Sequence, residues 1–220
     1  MQLRACSLLI LTLLTLSLPA QASRWYPIET GHRWVYSSTT GEPVSSIIQA
    51  PESFAGSLFQ PLAWDSGTRE YLSQDESGRV LFHGISFPDG SYIVFDPPIL
   101  RMDSGLTLGH EWETVYDAIQ YTVDGVEIRR EQARSTRRVI GVGNVTVAAG
   151  TFPAAEVLRT EETGFLPPSS FRDTYAEEIG WVLRTDENGS SVLFELTAYG
   201  ANGVPTGLSS WSALKSQFGN

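Results

Sequence analysis

The chain has 220 residues, 41% of them hydrophobic and 18% charged, with 15 Lys+Arg against 25 Asp+Glu and a formal charge of −10. So acidic a chain repels phosphate backbones and anionic lipid surfaces, which excludes nucleic acid as an expected partner. Abundant Gly, Ser, Thr and aromatic residues, with few long runs of helix formers, favour an all-β or β-rich domain.

The chain opens as a secretory leader. Arg4 supplies the positive n-region, Ser7 to Leu18 an apolar core too short to span a bilayer comfortably, and Ala20-Gln21-Ala22 a small-x-small cleavage signal. Residues 1–22 are therefore read as a signal peptide cleaved after Ala22, and the mature chain as periplasmic or secreted. Removing Arg4 leaves 14 basic against 25 acidic residues, a charge of −11. No later stretch approaches ~20 consecutive apolar residues, so no membrane span is expected in the mature chain. Cys6 precedes the apolar core, whereas a lipidated cysteine would follow it. The mature chain then has no thiol for a disulfide, metal ligand or nucleophile.

Residues 23–207 read as one antiparallel β domain. Trp25 to Tyr36 begins it, with Trp34, Tyr36 and Ser38 on one face of a strand and Arg33, Val35 and Ser37 on the other. Val44 to Gln49 is a second strand, and Pro51 to Trp64 an apolar loop or short helix covering one mouth of the sheet. Strands over Arg69–Gln74, Arg79–His83 and Ser91–Phe95 follow, separated by turns at Asp75–Gly78 and Phe87–Gly90. Asp96-Pro97-Pro98 opens an internal linker over 96–109, and the pattern restarts at His110-Glu111-Trp112. Asp124-Gly125 is the strongest hairpin signal, and Asn188-Gly189 predicts another type I′ hairpin. Gly143-Asn144 reads as a bulge or corner. Between them, Val145 to Thr185 reads as a meander with a break at Ala149-Gly150 and a loop over Gly164–Ser170. In the last strand Val192, Phe194, Leu196 and Ala198 form an apolar face. Residues 208–220 are a C-terminal tail, in which Ser209 or Ser210 could cap a short helix carrying Trp211, Leu214 and Phe218.

The set Val145, Val147, Gly150, Thr151 and Phe152, then Tyr175, Ala176, Ile179, Gly180 and Val182, resembles a recurrent group of exported bacterial proteins, largely of unknown function. The opening Tyr26, Pro27, Ile28, Gly31, Trp34 and Tyr36 resembles the start of the same group. The resemblance implies a single curved antiparallel sheet or half-barrel with short helical or loop cover, similar to the lipoprotein-localisation carriers of the Gram-negative envelope. It also implies a carrier role. These motifs are turns and core aromatics, and do not specify chemistry.

Catalytic patterns are lacking. His32, His83 and His110 have no metal-ligand spacing, no nucleophile elbow or phosphate loop occurs, and Gly141-Val142-Gly143 lacks the third glycine of a dinucleotide fingerprint. The paired acids Asp75-Glu76, Glu161-Glu162, Glu177-Glu178 and Asp186-Glu187 point to opposite faces of a strand or occupy turns, which does not make a glycosidase dyad. No catalytic residue, cofactor or metal is expected.

Three functional readings follow. The first is a non-enzymatic envelope protein holding a lipid-like or other hydrophobic ligand on a concave face lined by Trp34, Tyr36, Phe82, Tyr92, Phe95, Trp112, Tyr121 and Trp181, which equally fit plain core packing. The second is a protein–protein module of the envelope using a sheet edge or the surface of Arg129, Arg130, Arg134, Arg137 and Arg138. Cross-strand pairing with Glu127, Glu131, Glu161 and Glu162 accounts for those arginines as well. The weakest is a hydrolase.

Overall fold

The computed structural model describes residues 24–163 and 166–201. The predicted signal peptide and C-terminal tail lie outside the described residues. Thirteen strands occur among the described residues: β1 (Arg33–Ser38), β2 (Pro43–Ile48), β3 (Glu52–Phe54), β4 (Ser57–Trp64), β5 (Arg69–Gln74), β6 (Val80–Ser86), β7 (Tyr92–Met102), β8 (Glu111–Tyr121), β9 (Glu127–Val147), β10 (Gly150–Thr163), β11 (Leu166–Ala176), β12 (Gly180–Asp186) and β13 (Val192–Gly200). Every neighbouring pair is antiparallel, in the order β2-β1-β13-β12-β11-β10-β9-β8-β7-β6-β5-β4-β3.

The expected open half-barrel is instead a closed ring. β2 also pairs with β4 through Ser46↔Trp64, Ile47↔Ala63 and Ile48↔Leu62, joining twelve strands into a barrel with β3 attached to β4. Closure satisfies backbone donors and acceptors that an open sheet would leave bare at its edges. The helical or loop cover expected over Pro51–Trp64 is the β3–β4 hairpin, and no helix occurs among the described residues. The hairpin swings over the outer wall. Phe54 stacks on Tyr71 with centroids 3.9 Å apart and meets Tyr92 edge-on, while Phe59 stacks on His83. Gly84 makes room for this, since a Cβ there would stand 2.7 Å from the Phe54 ring and 2.3 Å from the Ile93 carbonyl oxygen.

The expected linker at 96–109 is corrected too. β7 runs through both prolines to Met102; its ladder with β6 skips residues 95–98 and resumes at Ile99↔Phe82, while its ladder with β8 stops at Asp96↔Asp117. Pro97 and Pro98 have no N–H to continue that ladder. Beyond the prolines the strand rejoins β6 but not β8, and the Leu100 carbonyl is left to accept from the Trp112 Nε1 and Arg137 Nη1 donors, at 3.0 and 3.1 Å. The loop expected over Gly164–Ser170 gives way to β11 from Leu166 onward. The Gly143-Asn144 corner lies inside β9, whose register shift falls opposite Glu156/Val157 instead. Hairpins form where Asp124-Gly125 and Asn188-Gly189 placed them, but not as type I′. Only the glycine of each pair has positive φ, 77° and 74°, and its N–H donates three residues back, to Thr122 and Asp186. One left-handed residue at the end of a type I turn gives the strand twist that two would otherwise supply.

The two ends of the barrel differ. One is filled by the segment preceding β1. Tyr26 is buried, Trp25 and Ile28 pack against the core, Arg24 pairs with Glu177, and the Glu178 N–H donates to the Arg24 carbonyl. Trp34 donates from Nε1 to the Ile179 carbonyl at 2.7 Å, and Tyr36 donates to that of Trp181 at 3.1 Å. Gly180, at φ 96°, turns the chain there with Pro27 Cδ 3.3 Å from where a Cβ would sit. Leu106, Met102, Val147, Ala155, Tyr175 and Ile179 complete a closely packed apolar fill. The other end carries the turn joining β4 to β5, the end of β10 and the start of β11, and there the barrel is hollow.

Candidate functional site

Strand alternation builds the hollow. On β10 the inward positions are Ala155, Val157, Arg159 and Glu161; on β9 they are Ala133, Ser135, Arg137 and Val139; on β11 they include Phe171, Asp173 and Tyr175. Each strand carries apolar residues towards the filled end and charged ones beyond them. The result is a cavity of about 530 Å³, within the range usual for small-molecule sites. Phe82, Ile93, Phe95, Ile99 and Ala118 line one wall, and Val44, Trp64, Trp181 and Phe194 the other. Ser66, Thr68, Thr163, Pro167 and Ser169 reach it from the rim.

Its floor is a band of charge. Arg101 pairs with Glu70, which also accepts from Trp64 Nε1 at 3.2 Å, and the Arg101 guanidinium lies 5.0 and 5.2 Å from the Tyr26 and Phe82 rings. Arg184 grips Asp173 with two hydrogen bonds, 2.6 Å from Nε and 3.1 Å from Nη2, and covers the Trp181 ring at 4.3 Å. Arg137, 4% exposed, donates to Ser135 Oγ at 2.6 Å and to Glu161 Oε1 at 3.3 Å. Arg159 lies 3.4 Å from Asp173 Oδ2 and 3.9 Å from Glu161 Oε1, yet makes no hydrogen bond among the described residues. Four guanidinium groups thus face three carboxylates.

Charges taken from water into a protein interior cost several kcal/mol each unless they are paired well. The titration behaviour reflects that contest. Burial opposes ionisation of Asp173, but the guanidiniums of Arg184 and Arg159 outweigh it and hold the carboxyl below its ordinary value. Burial pulls Arg137 down; Glu161 offsets this in part, and the like charges of Arg159 and Arg101 add to it. Arg184 and Arg101 stay above the ordinary value despite burial, because Asp173 and Glu70 lie against them. Burial raises Tyr26, Tyr36, Tyr116 and Tyr175, with Glu161 adding to the rise at Tyr116, so all four phenols remain protonated.

Of the aromatics expected on the concave face, Phe82, Phe95 and Trp181 line the cavity, while Trp34, Tyr36 and Trp112 are buried in the core. Tyr92 and Tyr121 are corrected to the outer wall, where they stack on each other with centroids 4.9 Å apart. Tyr92 pairs across the ladder with Tyr121, out of phase with the inward Ile93 and Phe95. The arginine surface is divided by the same alternation. Arg130, Arg134 and Arg138 face solvent, with Arg130 paired to Glu127 and Asp117 and Arg134 to Glu113. Arg129 is exposed near the β8–β9 turn and pairs with Glu131. Arg137 points into the barrel and is corrected out of that surface.

Sequence reasoning passed over Arg101, Arg159, Arg184, Glu70, Asp173 and Tyr116, and read Glu161 as a solvent-facing partner. A signal existed on β10, where Arg159 and Glu161 stand in phase with Ala155 and Val157. A hollow of about 560 Å³ on the outer wall, between His83, Tyr92, Tyr121 and Arg130, has no comparable buried band. Among the described residues, no three His, Cys, Asp or Glu side chains converge to hold a metal ion.

No family model and no curated protein matches the chain. Among solved structures it is similar to a "putative exported protein with YmcC-like fold" from Bacteroides fragilis, at 14% identity and TM-score 0.46, covering 81% of this chain and 100% of that one. It is also similar to a "putative lipoprotein" from Parabacteroides distasonis, at 15% identity and TM-score 0.38, covering 81% and 99%. A third is the hypothetical lipoprotein YmcC from Escherichia coli, at 12% identity and TM-score 0.34, covering 73% of each chain. Likenesses this distant transfer no function.

Proposed function

We propose that this is a non-catalytic, exported protein of the bacterial envelope that holds a lipid-like or other hydrophobic small molecule inside its barrel. The observation that carries the reading is the cavity of about 530 Å³, left unfilled at one end of a barrel whose other end is packed solid. The apolar wall of Phe82, Ile93, Phe95 and Ile99 suits a hydrocarbon chain. The acids nearest the cavity, Glu70, Glu161 and Asp173, are each engaged by arginine, which suits recognition better than proton transfer. Export rests on the leader-like first 22 residues and on the resemblance of the Val145–Val182 motifs.

The test is native mass spectrometry of protein purified from its own host, followed by solvent extraction. A co-purifying hydrophobic compound, displaced when Phe95→Trp narrows the cavity, is the expected result. A bare protein mass, together with no binding of any hydrocarbon-bearing probe, would rule the reading out. A docking role for the exposed Arg130, Arg134 and Arg138 is less favoured, since Arg130 and Arg134 already have acidic partners. Closure also removes every sheet edge in the barrel wall, leaving only β3.

A further inference from the structure

The charged floor is more than a structural salt-bridge network, because its pairing is uneven. Arg101 and Arg184 each have a dedicated carboxylate, Glu70 and Asp173. Arg137 and Arg159 share what remains: Glu161 accepts from Arg137 and Ser135, and Asp173 is already taken by Arg184. The Nε atoms of both Arg137 and Arg159 are buried without a hydrogen-bond partner. A buried donor left unmatched costs about 1–3 kcal/mol, more when it is charged. A structural network would be expected to close on itself, as the Arg184–Asp173 pair does. An additional inward arginine, with its Nε donor unfilled and the nearby carboxylates already engaged by other arginines, is arranged to receive an acceptor from outside the chain.

We infer that the ligand is an amphipathic anion, its carboxylate or phosphate head seated against Arg159 and Arg137 and its hydrocarbon tail running along Phe82, Ile93, Phe95 and Ile99 towards the rim. This rests on the small-molecule reading above. The head would fill the idle guanidinium donors and balance the surplus positive charge, and guanidinium geometry suits both oxyanions. The tail would lie where the wall is apolar. The acidic exterior does not oppose this, since the selectivity comes from the desolvated floor.

The experiment is a calorimetric titration of the full chain with four probes: dodecanoate, dodecyl phosphate, dodecan-1-ol and inorganic phosphate. Both amphipathic anions should bind at least tenfold tighter than dodecan-1-ol, and inorganic phosphate at least tenfold weaker than dodecyl phosphate. In Arg159→Gln, whose side chain is only partly buried, the anions should lose about tenfold while dodecan-1-ol is unchanged. Equal binding of dodecan-1-ol and dodecanoate would overturn the anionic head and leave the hydrophobic-ligand reading standing. Inorganic phosphate binding as tightly as dodecyl phosphate would overturn the amphipathic ligand in favour of a free anion. No binding of any dodecyl probe would overturn both readings. The wild-type comparison does not depend on any variant folding.

Discussion

The two ends of this barrel use the same inward-facing positions for different purposes. At the filled end Tyr26, Trp34, Tyr175, Ile179 and Met102 exclude water, and the Trp34 Nε1 donor is met by the Ile179 carbonyl. Towards the hollow end the equivalent positions are Arg159, Glu161, Arg137 and Asp173, beside an apolar wall that faces the cavity. Apolar fill stabilises without regard to what enters the barrel, whereas a buried charged band is stabilising only as far as its partners match. On the proposed reading, the contrast places stability at one end and selectivity at the other.

The contrast is broken most severely at the filled end. Trp34→Ala should cost about 4–5 kcal/mol, near the top of the range for truncating a buried Trp, because the Ile179 carbonyl also loses its donor. Chemical denaturation would measure it. Probe affinity in the folded fraction should not change, and a loss of affinity equal to the loss of stability would show that the ends are not separate. Asp173→Asn should cost about 3 kcal/mol, since it leaves Arg184 and Arg159 buried without their carboxylate. Asp173 is depressed below its ordinary value of 3.8 when folded, so the stability from this pairing is complete above that value and is lost as pH falls through the lower folded one. The Asn variant should accordingly show a flatter acid limb in denaturation midpoints taken from pH 6 downwards.

Gly84→Ala probes the outer wall, which belongs to neither end. The new Cβ would collide with the Phe54 ring and the Ile93 carbonyl, and overpacking of this kind costs roughly 1–3 kcal/mol. Thermal melts would read it, and a neutral result would mean that the β3–β4 hairpin is not seated on that wall. The smallest effect belongs to Asp75, in the turn before β6. Burial there is outweighed by hydrogen bonds from Ser77 and Arg79, which bring its carboxyl to about 2. Its contribution is present above pH 3.8 and is lost as pH falls towards about 2. For so exposed a pair Asp75→Ala should cost under about 1 kcal/mol at neutral pH. Added salt should reduce that further.

Much of the wall was legible in the chain. The spacing of glycines located the hairpins, and alternation placed Trp34 with Tyr36 and Leu196 with Ala198 on inward faces. Closure was not legible, because pairing β2 to β4 depends on how curvature accumulates around the ring, which no local pattern encodes. Pro97-Pro98 suggested a linker because proline ends a ladder, and here it ends the ladder on the β8 side while the one on the β6 side is interrupted and resumes at Ile99. The cavity floor was hidden for another reason. Arginine on a strand is read as facing water, and only its phase with Ala155 and Val157 argued otherwise for Arg159. At Arg184 even the phase misleads, since the register slips where β12 meets Thr174/Tyr175.

The position of β13 has a consequence for how the molecule comes together. This strand, residues 192–200, lies between β1 and β12 and joins them through pairs such as Arg33↔Gly200 and Leu183↔Glu195. The first strand must therefore wait for the last, with more than a hundred residues of sheet laid down in between. Contacts so distant in sequence make for slow assembly, and until they form β1 and β12 both present unpaired backbone to any other extended chain. A polypeptide released in stages would spend that interval most exposed to aggregation, and a chaperone that shielded those two edges would do the most to help it finish.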